Sequence, residues 1–567
     1  VIVGRSSNAE TTATGMAGLQ LGLSLPVSKM AQSSVRGSVT LAGNEVRFVP
    51  EAPTVSGARG VVQFSDHGFT LVGVQGRALG GELHLEGGMK APPAAQESAV
   101  RVRARGTATA EGLRASPQLG LLSRLAQHAS GSAAYTLSLG VRRGEPEIQV
   151  ASDLVGLALA APAPLGKAAQ APLPVRFDNQ LTREAAASDG APLQDQVTLE
   201  LGGVARLAYV RALDGGHARV LRGAVAVGEP AAAPLSLPEQ GVFANAVLAG
   251  LDTDAWRALL NAPAPAPGAA PAPPLADAGQ IPDYLPTRLA VRAATLTLQG
   301  RTVHDVVAGA TRAGALWRAN VSARELDGYL EYQPGGAPAA DGPAPQGRLY
   351  ARLARLAMPQ AADAQVDALL DAQQPGKLPA LDIVVQDFEL HGRRLGRIDI
   401  EARNRATQDG QREWRLARFN LAAPEATFTS SGSWALLGGA GGEARRRSSM
   451  NFELDIRDSG ELLARFGMDG VLRRGKGRIT GQVGWLGSPL SPDYRSMTGQ
   501  MNVNMEAGQF LKADPGLAKL LGVLSLQSLP RRLTLDFRDV FSEGFAFDFV
   551  RGDVHVDKGV ATTNNLQ

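Results

Sequence analysis

Histidine and cysteine are the residues most often used to bind metals, and this chain offers no arrangement of them that would do so. No two of its seven histidines stand at the i, i+4 spacing that places a pair of imidazoles on one helix face. The absence of cysteine removes thiolate ligands, disulfides and thiol nucleophiles together. We therefore predict neither a metal site nor a cofactor. The histidines are His67, His84, His128, His217, His304, His391 and His555.

Acidic residues and glycine-rich runs are the other candidates for chemistry. Asp536, Asp539 and Glu543 lie in or beside an alternating run, where they would face water and not form an acid–base pair. The GKGR run at 475–478 lacks the spacing and the Lys-Ser/Thr ending of a phosphate-binding loop, so a hairpin is expected. The RGD tripeptide at 551–553 is short enough to occur by chance. We expect that the protein is not an enzyme.

The overall composition favours many short strands. Glycine (66) and proline (35) interrupt the 567-residue chain too often for long helices, while 44% hydrophobic residues argue against general disorder. The formal net charge is only +3, which gives no support to nucleic-acid binding. No apolar run approaches the roughly 20 residues needed to span a bilayer. We predict an elongated, curved, mainly β fold.

Alternation of apolar and polar residues is the dominant local pattern. It is clearest at 533–538, reading LTLDFR, and it predicts strands with one apolar and one polar face. If such a sheet curls into a trough, its apolar face is free to receive acyl chains. The candidate lining residues are Leu533, Leu535, Phe537, Phe545, Phe547, Phe549, Leu381, Ile383 and Val385.

Short helices and one linker interrupt the predicted strands. Helices are expected near 117–128, 252–260 and 514–526, the last carrying Leu517, Leu520, Leu521 and Leu524 at helical spacing. Either these leucines pack on the sheet, which we favour, or they contact a membrane. Arg531 and Arg532, which follow them, are candidate contacts for lipid headgroups.

The domain organisation is predicted from an Ala/Pro-rich run and from an internal sequence repeat. The run APAPAPGAAPAPP predicts an extended spacer, and a Leu-Pro to Trp pattern at 285–317 is repeated at 378–414. The predicted parts are 1–261, the linker 262–280, two repeated strand-rich units over 281–436, and a C-terminal region over 437–567.

Several segments resemble the YhdP branch of the AsmA family. The longest is 508–559, with its helix, its Leu-Pro-Arg-Arg break and its Phe-rich strands; shorter collinear segments are 152–169, 250–256 and 475–489. The resemblance implies a curved antiparallel β-sheet with an apolar groove, like that of bridge-like lipid-transfer proteins. It also implies a periplasmic protein attached to the inner membrane by an N-terminal anchor that is missing here.

The resemblance implies transport of phospholipid between inner and outer membranes without catalysis, supporting the outer-membrane permeability barrier. The expected partners are phospholipid acyl chains, the inner membrane, and the outer membrane or its proteins. Two alternatives stay open at this point. One is a structural or adhesive β-solenoid, and the other is an assembly factor for outer-membrane proteins. A solenoid would show a regular period of about 20 to 30 residues, whereas the internal repeat in this sequence is irregular.

Overall fold

A computed structural model of the chain confirms the prediction of a mainly β fold with a few short helices. The chain divides into two compact units, Val1–Thr302 (unit 1) and Val303–Gln567 (unit 2). The structure describes residues 12–25, 34–47, 53–89, 100–188, 190–213, 218–261, 281–336, 347–358, 378–390, 392–406, 412–437, 445–489, 493–511 and 545–567.

Unit 1 contains the first sixteen strands. They are β1 Thr12–Thr14, β2 Ala17–Ser24, β3 Ser34–Arg47, β4 Val55–Ser65, β5 Gly68–Ala78, β6 Gly80–Met89, β7 Val100–Thr109, β8 Ala129–Arg142, β9 Glu145–Ser152, β10 Leu157–Leu159, β11 Val175–Leu181, β12 Gln194–Leu201, β13 Ala205–Ala212, β14 Arg219–Gly228, β15 Gly241–Asp252 and β16 Arg288–Leu298. The α-helices of this unit are α1 Ala110–Arg114, α2 Leu121–Leu125, α3 Arg183–Ala187, α4 Thr253–Asn261 and α5 Ile281–Tyr284. Single 3₁₀ turns are Pro117–Leu119, Ala126–His128 and Glu229–Ala232.

Unit 2 contains the remaining strands, the first of which begins just before the boundary. They are β17 Arg301–Ala313, β18 Leu316–Ser322, β19 Leu326–Gln333, β20 Arg348–Met358, β21 Ala380–Leu390, β22 Arg393–Ala406, β23 Arg412–Ala422, β24 Ala426–Leu437, β25 Arg445–Ile456, β26 Leu472–Leu486, β27 Thr498–Phe510, β28 Phe545–Asp557 and β29 Val560–Thr562. Among the described residues of this unit is helix α6 Ser459–Arg465, which is capped by Asp458, whose carboxylate accepts hydrogen bonds from the backbone N–H groups of Gly460 and Glu461. A 3₁₀ turn spans Tyr494–Ser496.

Most strands pair antiparallel with the next strand along the chain, as expected. This antiparallel order differs from the parallel coil-on-coil pairing of a β-helix. Three pairs are parallel instead: β14 with β15, β15 with β16, and β20 with β21. Parallel neighbours need a long crossover connection, and long connections do lie between these strands. The sheet is therefore mixed.

The Ala/Pro-rich segment 262–280 and the predicted helix 514–526 lie outside the described residues. The two strands that flank the Ala/Pro segment, β15 and β16, pair directly with each other. The division into the four predicted parts stays a prediction. No helix in the described ranges has the length and apolar character needed to cross a bilayer.

The buried apolar side chains of each unit come from runs of neighbouring strands. In unit 1 the main cluster is Val55, Ala58, Val74, Ala78, Leu83, Leu85 and Ala104, from β4 to β7. In unit 2 it is Ala351, Leu353, Val385, Phe388, Leu395 and Ile398, from β20 to β22. These side chains pack beside one another across adjacent strands, which concentrates the apolar surface on one face.

Candidate functional site

One face of the unit 1 sheet has an unbroken row of apolar residues. Each member lies directly opposite the next on the neighbouring strand, so all of them point to the same side. The row takes one residue from every strand between β5 and β16 except β10. It runs Val74, Leu85, Ala104, Leu137, Val150, Phe177, Leu199, Leu207, Val225, Ala244 and Leu289.

The other face of unit 1 is polar. The neighbouring positions on the same strands, which alternation turns to the other side, form a second row of directly paired residues. It runs Arg59, Gln75, His84, Arg105, Thr136, Ala151, Arg176, Glu200 and Arg206. From β5 to β13 the sheet is therefore amphipathic, with one of these rows on each face.

Unit 2 repeats this arrangement with two apolar rows, between which lies the row of Ile383 and Ile400. One row runs Val321, Gly328, Leu353, Val385, Ile398, Leu421, Phe428, Leu454, Ile479, Val503 and Gly552. Another runs Trp317, Tyr332, Leu349, Leu381, Ala402, Leu416, Gly432, Met450, Val483, Gly499 and Val556. From β18 to β28 neither row contains a charged residue, while on β17 the residue opposite Trp317 is Arg312.

Aromatic rings add to the apolar surface in the middle of unit 2. The ring centroids of Phe419 and Phe428 are 6.1 Å apart, and those of Phe428 and Phe452 are also 6.1 Å apart. Most side chains of this face, including these three, are half-buried. Half-burial leaves apolar surface accessible to a ligand in the described part of the unit.

The opposite face of unit 2 is held by ion pairs between neighbouring strands. Arg318 Nε lies 3.5 Å from Glu331 Oε1, and Arg418 Nη2 lies 3.1 Å from Glu401 Oε2. A half-exposed pair of this kind contributes little stability, about 0 to 1 kcal/mol. Its main effect is to mark this face as the one that faces water.

The structure places the predicted lining residues at different points of unit 2. Leu381, Ile383 and Val385 all lie on the apolar face of unit 2, each in a different row. Phe547 pairs with Gly508 and its ring lies 5.3 Å from that of Phe510. The backbone of Phe545 pairs with that of Phe510.

Phe549 is not placed with the apolar rows. It pairs with Glu506, is 44% exposed, and its ring lies 5.3 Å from the guanidinium carbon of Arg551. The neighbouring Val550 takes the apolar side instead, opposite Met505. The remaining candidates lie outside the described residues: Leu533, Leu535, Phe537, Leu517, Leu520, Leu521, Leu524, Arg531 and Arg532.

Sequence reasoning did not find the continuity of the rows. Alternation within each strand was readable, but which residue meets which depends on register, and several bulges shift it, as between Val385 and Phe388. In the described ranges, no group of three or more histidine, aspartate and glutamate side chains is arranged to hold a metal ion.

Comparison with known proteins adds a family to this geometry. The chain is similar to the intermembrane phospholipid transporter YhdP of Escherichia coli (strain K12), with 27% identity over 139 residues. That match covers 24% of this chain and 11% of that protein. No solved structure matches the chain. The family model described as YhdP protein matches residues 7–567, and the chain therefore belongs to the YhdP family.

Proposed function

We propose that this chain binds phospholipids by their acyl chains on the apolar faces of its units and lets them pass from strand to strand between membranes. No bond is made or broken in this function. The unbroken apolar rows are the observation that carries it. The similarity to a protein described as an intermembrane phospholipid transporter supports the choice of ligand.

The rows explain how a lipid could move without an energy source at each step. Neighbouring strands are about 4.8 Å apart, so an acyl chain lying across them meets an apolar side chain or a glycine at every strand. Each methylene group kept from water contributes about 0.8 kcal/mol, and that contribution changes little when one apolar contact replaces another. A charged residue within a row would interrupt this path.

We further propose that the protein works in the periplasm, attached to the inner membrane and reaching towards the outer membrane. Passage of phospholipid in either direction would then support outer-membrane lipid balance and the permeability barrier. The amphipathic sheet suits this setting, because its polar face stays in water while its apolar face is covered by lipid.

Two adjacent residues of β21 give a matched test. Ile383 lies on the apolar face opposite Ile400, and Val384 lies on the other face opposite Asp399. Both side chains are β-branched and half-buried. Ile383→Asp puts a charge into an apolar row, while Val384→Asp puts the same charge on the side that already faces water.

The measurement is native mass spectrometry with lipid extraction on the whole chain purified without detergent from a Gram-negative host. We expect phospholipid on the wild type and on Val384→Asp, and its loss from Ile383→Asp, with all three proteins folded by circular dichroism. A folded wild type without lipid, or equal lipid on both variants, would overturn the proposal.

A further inference from the structure

One edge of unit 2 differs in chemistry from the rest of the apolar face. Beside the row that contains Ala402 and Leu416, the next row towards the strand ends is polar and aromatic. It runs Asn404, Trp414, Trp434, Ser448 and Trp485, each directly opposite the next on β22 to β26. We call this row, with the strand ends beside it, the tryptophan rim. Tryptophan is typical of boundaries where one end of the ring is apolar and the other is polar.

The indole N–H groups of this rim are not equally satisfied. Trp414 Nε1 donates to the carbonyl of Pro379 over 3.3 Å, and Trp485 Nε1 donates to the carbonyl of Ser488 over 2.8 Å. Trp434 is fully buried, and its Nε1 has no acceptor among the described residues. A buried donor without an acceptor is unfavourable, so an oxygen atom of a ligand would relieve it.

Arginines accompany the indoles on the apolar side of this edge. The guanidinium carbon of Arg446 lies 6.0 Å from the ring centroid of Trp434. In the neighbouring row, which contains Trp317, the guanidinium carbon of Arg312 lies 5.9 Å from the ring centroid of Trp317. The two residues are directly opposite each other on β17 and β18. Positive charge therefore reaches the apolar face at this edge.

More arginines lie on the polar side of the same strand ends. Arg403 and Arg415 are directly opposite each other, an arrangement that is unfavourable for like charges. Arg403 is paired with Glu401. Arg415 and Arg447, both exposed, form no ion pair with a carboxylate in the described ranges, whereas Arg405 lies opposite Glu413. The rim is therefore a positively charged edge with unused donors.

The opposite edge of unit 2 also carries exposed arginines, Arg397 and Arg473, but several of its charges are paired within the protein and no tryptophan lies there in the described ranges. Glu425 accepts hydrogen bonds from Arg465 of α6, and His304 Nδ1 lies 2.6 Å from Glu325 Oε1. Helix α6 packs against β26 at this edge. The two edges of one amphipathic sheet thus differ, since only the tryptophan rim combines indole donors with unpaired arginines in the described structure.

We infer that the tryptophan rim binds the phosphate group of a phospholipid whose acyl chains lie on the apolar face of unit 2. This inference rests on the proposed function and adds which edge the headgroup occupies. Guanidinium groups match phosphate oxygens in charge and can donate two hydrogen bonds in parallel. A lipid oriented in this way keeps its tails on the apolar rows while its phosphate meets the arginines and the N–H of Trp434.

The test compares two double variants with the same change in charge. Arg415→Glu with Arg447→Glu reverses charge at the tryptophan rim, and Arg397→Glu with Arg473→Glu reverses exposed arginines at the opposite edge. Each protein is loaded in parallel with phosphatidylglycerol or with diacylglycerol of the same chains, which lacks the phosphate. Occupancy is measured by native mass spectrometry.

We expect the rim variant to lose about tenfold in affinity for phosphatidylglycerol, while its binding of diacylglycerol and both affinities of the control stay unchanged. If the rim variant does not fold, Trp434→Phe removes the indole N–H and keeps a ring. This variant should then bind phosphatidylglycerol several-fold more weakly and bind diacylglycerol as the wild type does.

Equal losses in the two double variants, or equal losses of the two lipids, would overturn the rim assignment while leaving the proposed function intact. Inorganic phosphate that binds the lipid-free wild type as tightly as phosphatidylglycerol would also overturn it, because the rim would then be a site for free phosphate. Failure of the wild type to bind either lipid would instead contradict the proposed function.

Discussion

Arg211 and Asp195 lie opposite each other on β13 and β12 of unit 1, and Arg211 Nε donates to Asp195 Oδ1 over 3.0 Å. Asp195 is only 4% exposed. Burial by itself lowers the pKa of Arg211, but hydrogen bonding to Asp195 and to the Tyr284 hydroxyl reverses this and raises the pKa above its ordinary value. The pair therefore stays charged, on the face of β12 that also carries Val197 and Leu199 of the apolar row.

Removing one partner of this ion pair should cost more than removing both. Asp195→Leu leaves the Arg211 charge largely buried without its partner, and we expect a loss of about 3 kcal/mol in the stability of β12 and β13. Adding Arg211→Met should recover much of that loss. Hydrogen exchange of the two strands measures both effects, and additive losses in the double variant would contradict the coupling.

The ion pair of Glu425 and Arg465 in unit 2 should make stability depend on pH. The hydrogen bond from Arg465 holds the pKa of Glu425 below its ordinary value of 4.5, against the opposing effect of burial. A carboxylate with a lowered pKa in the folded state stabilises the protein above its ordinary pKa, and this contribution is lost as the pH falls through the folded value.

Glu425→Gln should therefore destabilise β24 and α6 near neutral pH, by about 2 kcal/mol, with the difference from wild type shrinking below pH 4.5. Hydrogen exchange at several pH values measures it. Asp305→Asn is the control, since Asp305 and its partner Arg324 are 65% and 66% exposed and should contribute little. A pH-independent loss in Glu425→Gln would show that the charge is not responsible.

The strands β21 and β28 show which structural features the sequence predicts and which it does not. Alternation at Leu381, Ile383 and Val385 predicted both a strand and a shared face, because the period of two is local information. At Phe549 the same period was present, yet the face was decided by the partner Glu506, which only register reveals. Local pattern predicts elements, and pairing assigns their faces.

Contacts between distant parts of the chain explain the rest of what sequence missed. Trp414, Trp434 and Trp485 are separated along the chain and meet only because β23, β24, β25 and β26 pair in the observed register. The parallel pairs were not predicted for a similar reason. The residues of β20 and β21 carry no local signal that the connection between these strands is a crossover. The tryptophan rim could not have been predicted from any one strand.

Gly396 should resist substitution because of its backbone. It lies at the register shift between β21 and β22 with φ at +92°, and an added Cβ would be 2.3 Å from the carbonyl oxygen of Ala422. Gly396→Ala should cost about 2 kcal/mol, measured by hydrogen exchange of β22. Gly309→Ala is the control, because a Cβ there meets nothing within 4 Å. Equal effects at the two glycines would contradict the strain argument.

Photocrosslinking should separate the two faces of unit 1. Leu137 belongs to its apolar row, and the next residue of β8, Ser138, lies opposite Arg103 on the polar face. A benzophenone side chain at Leu137 should crosslink to phospholipid in cells, whereas one at Ser138 should not, because alternation turns it to water. Leu199 and Thr198 on β12 provide the same comparison in a second strand. Crosslinks of equal yield at both residues of a pair would mean that lipid does not distinguish the faces, and the apolar rows of unit 1 would then have no part in binding.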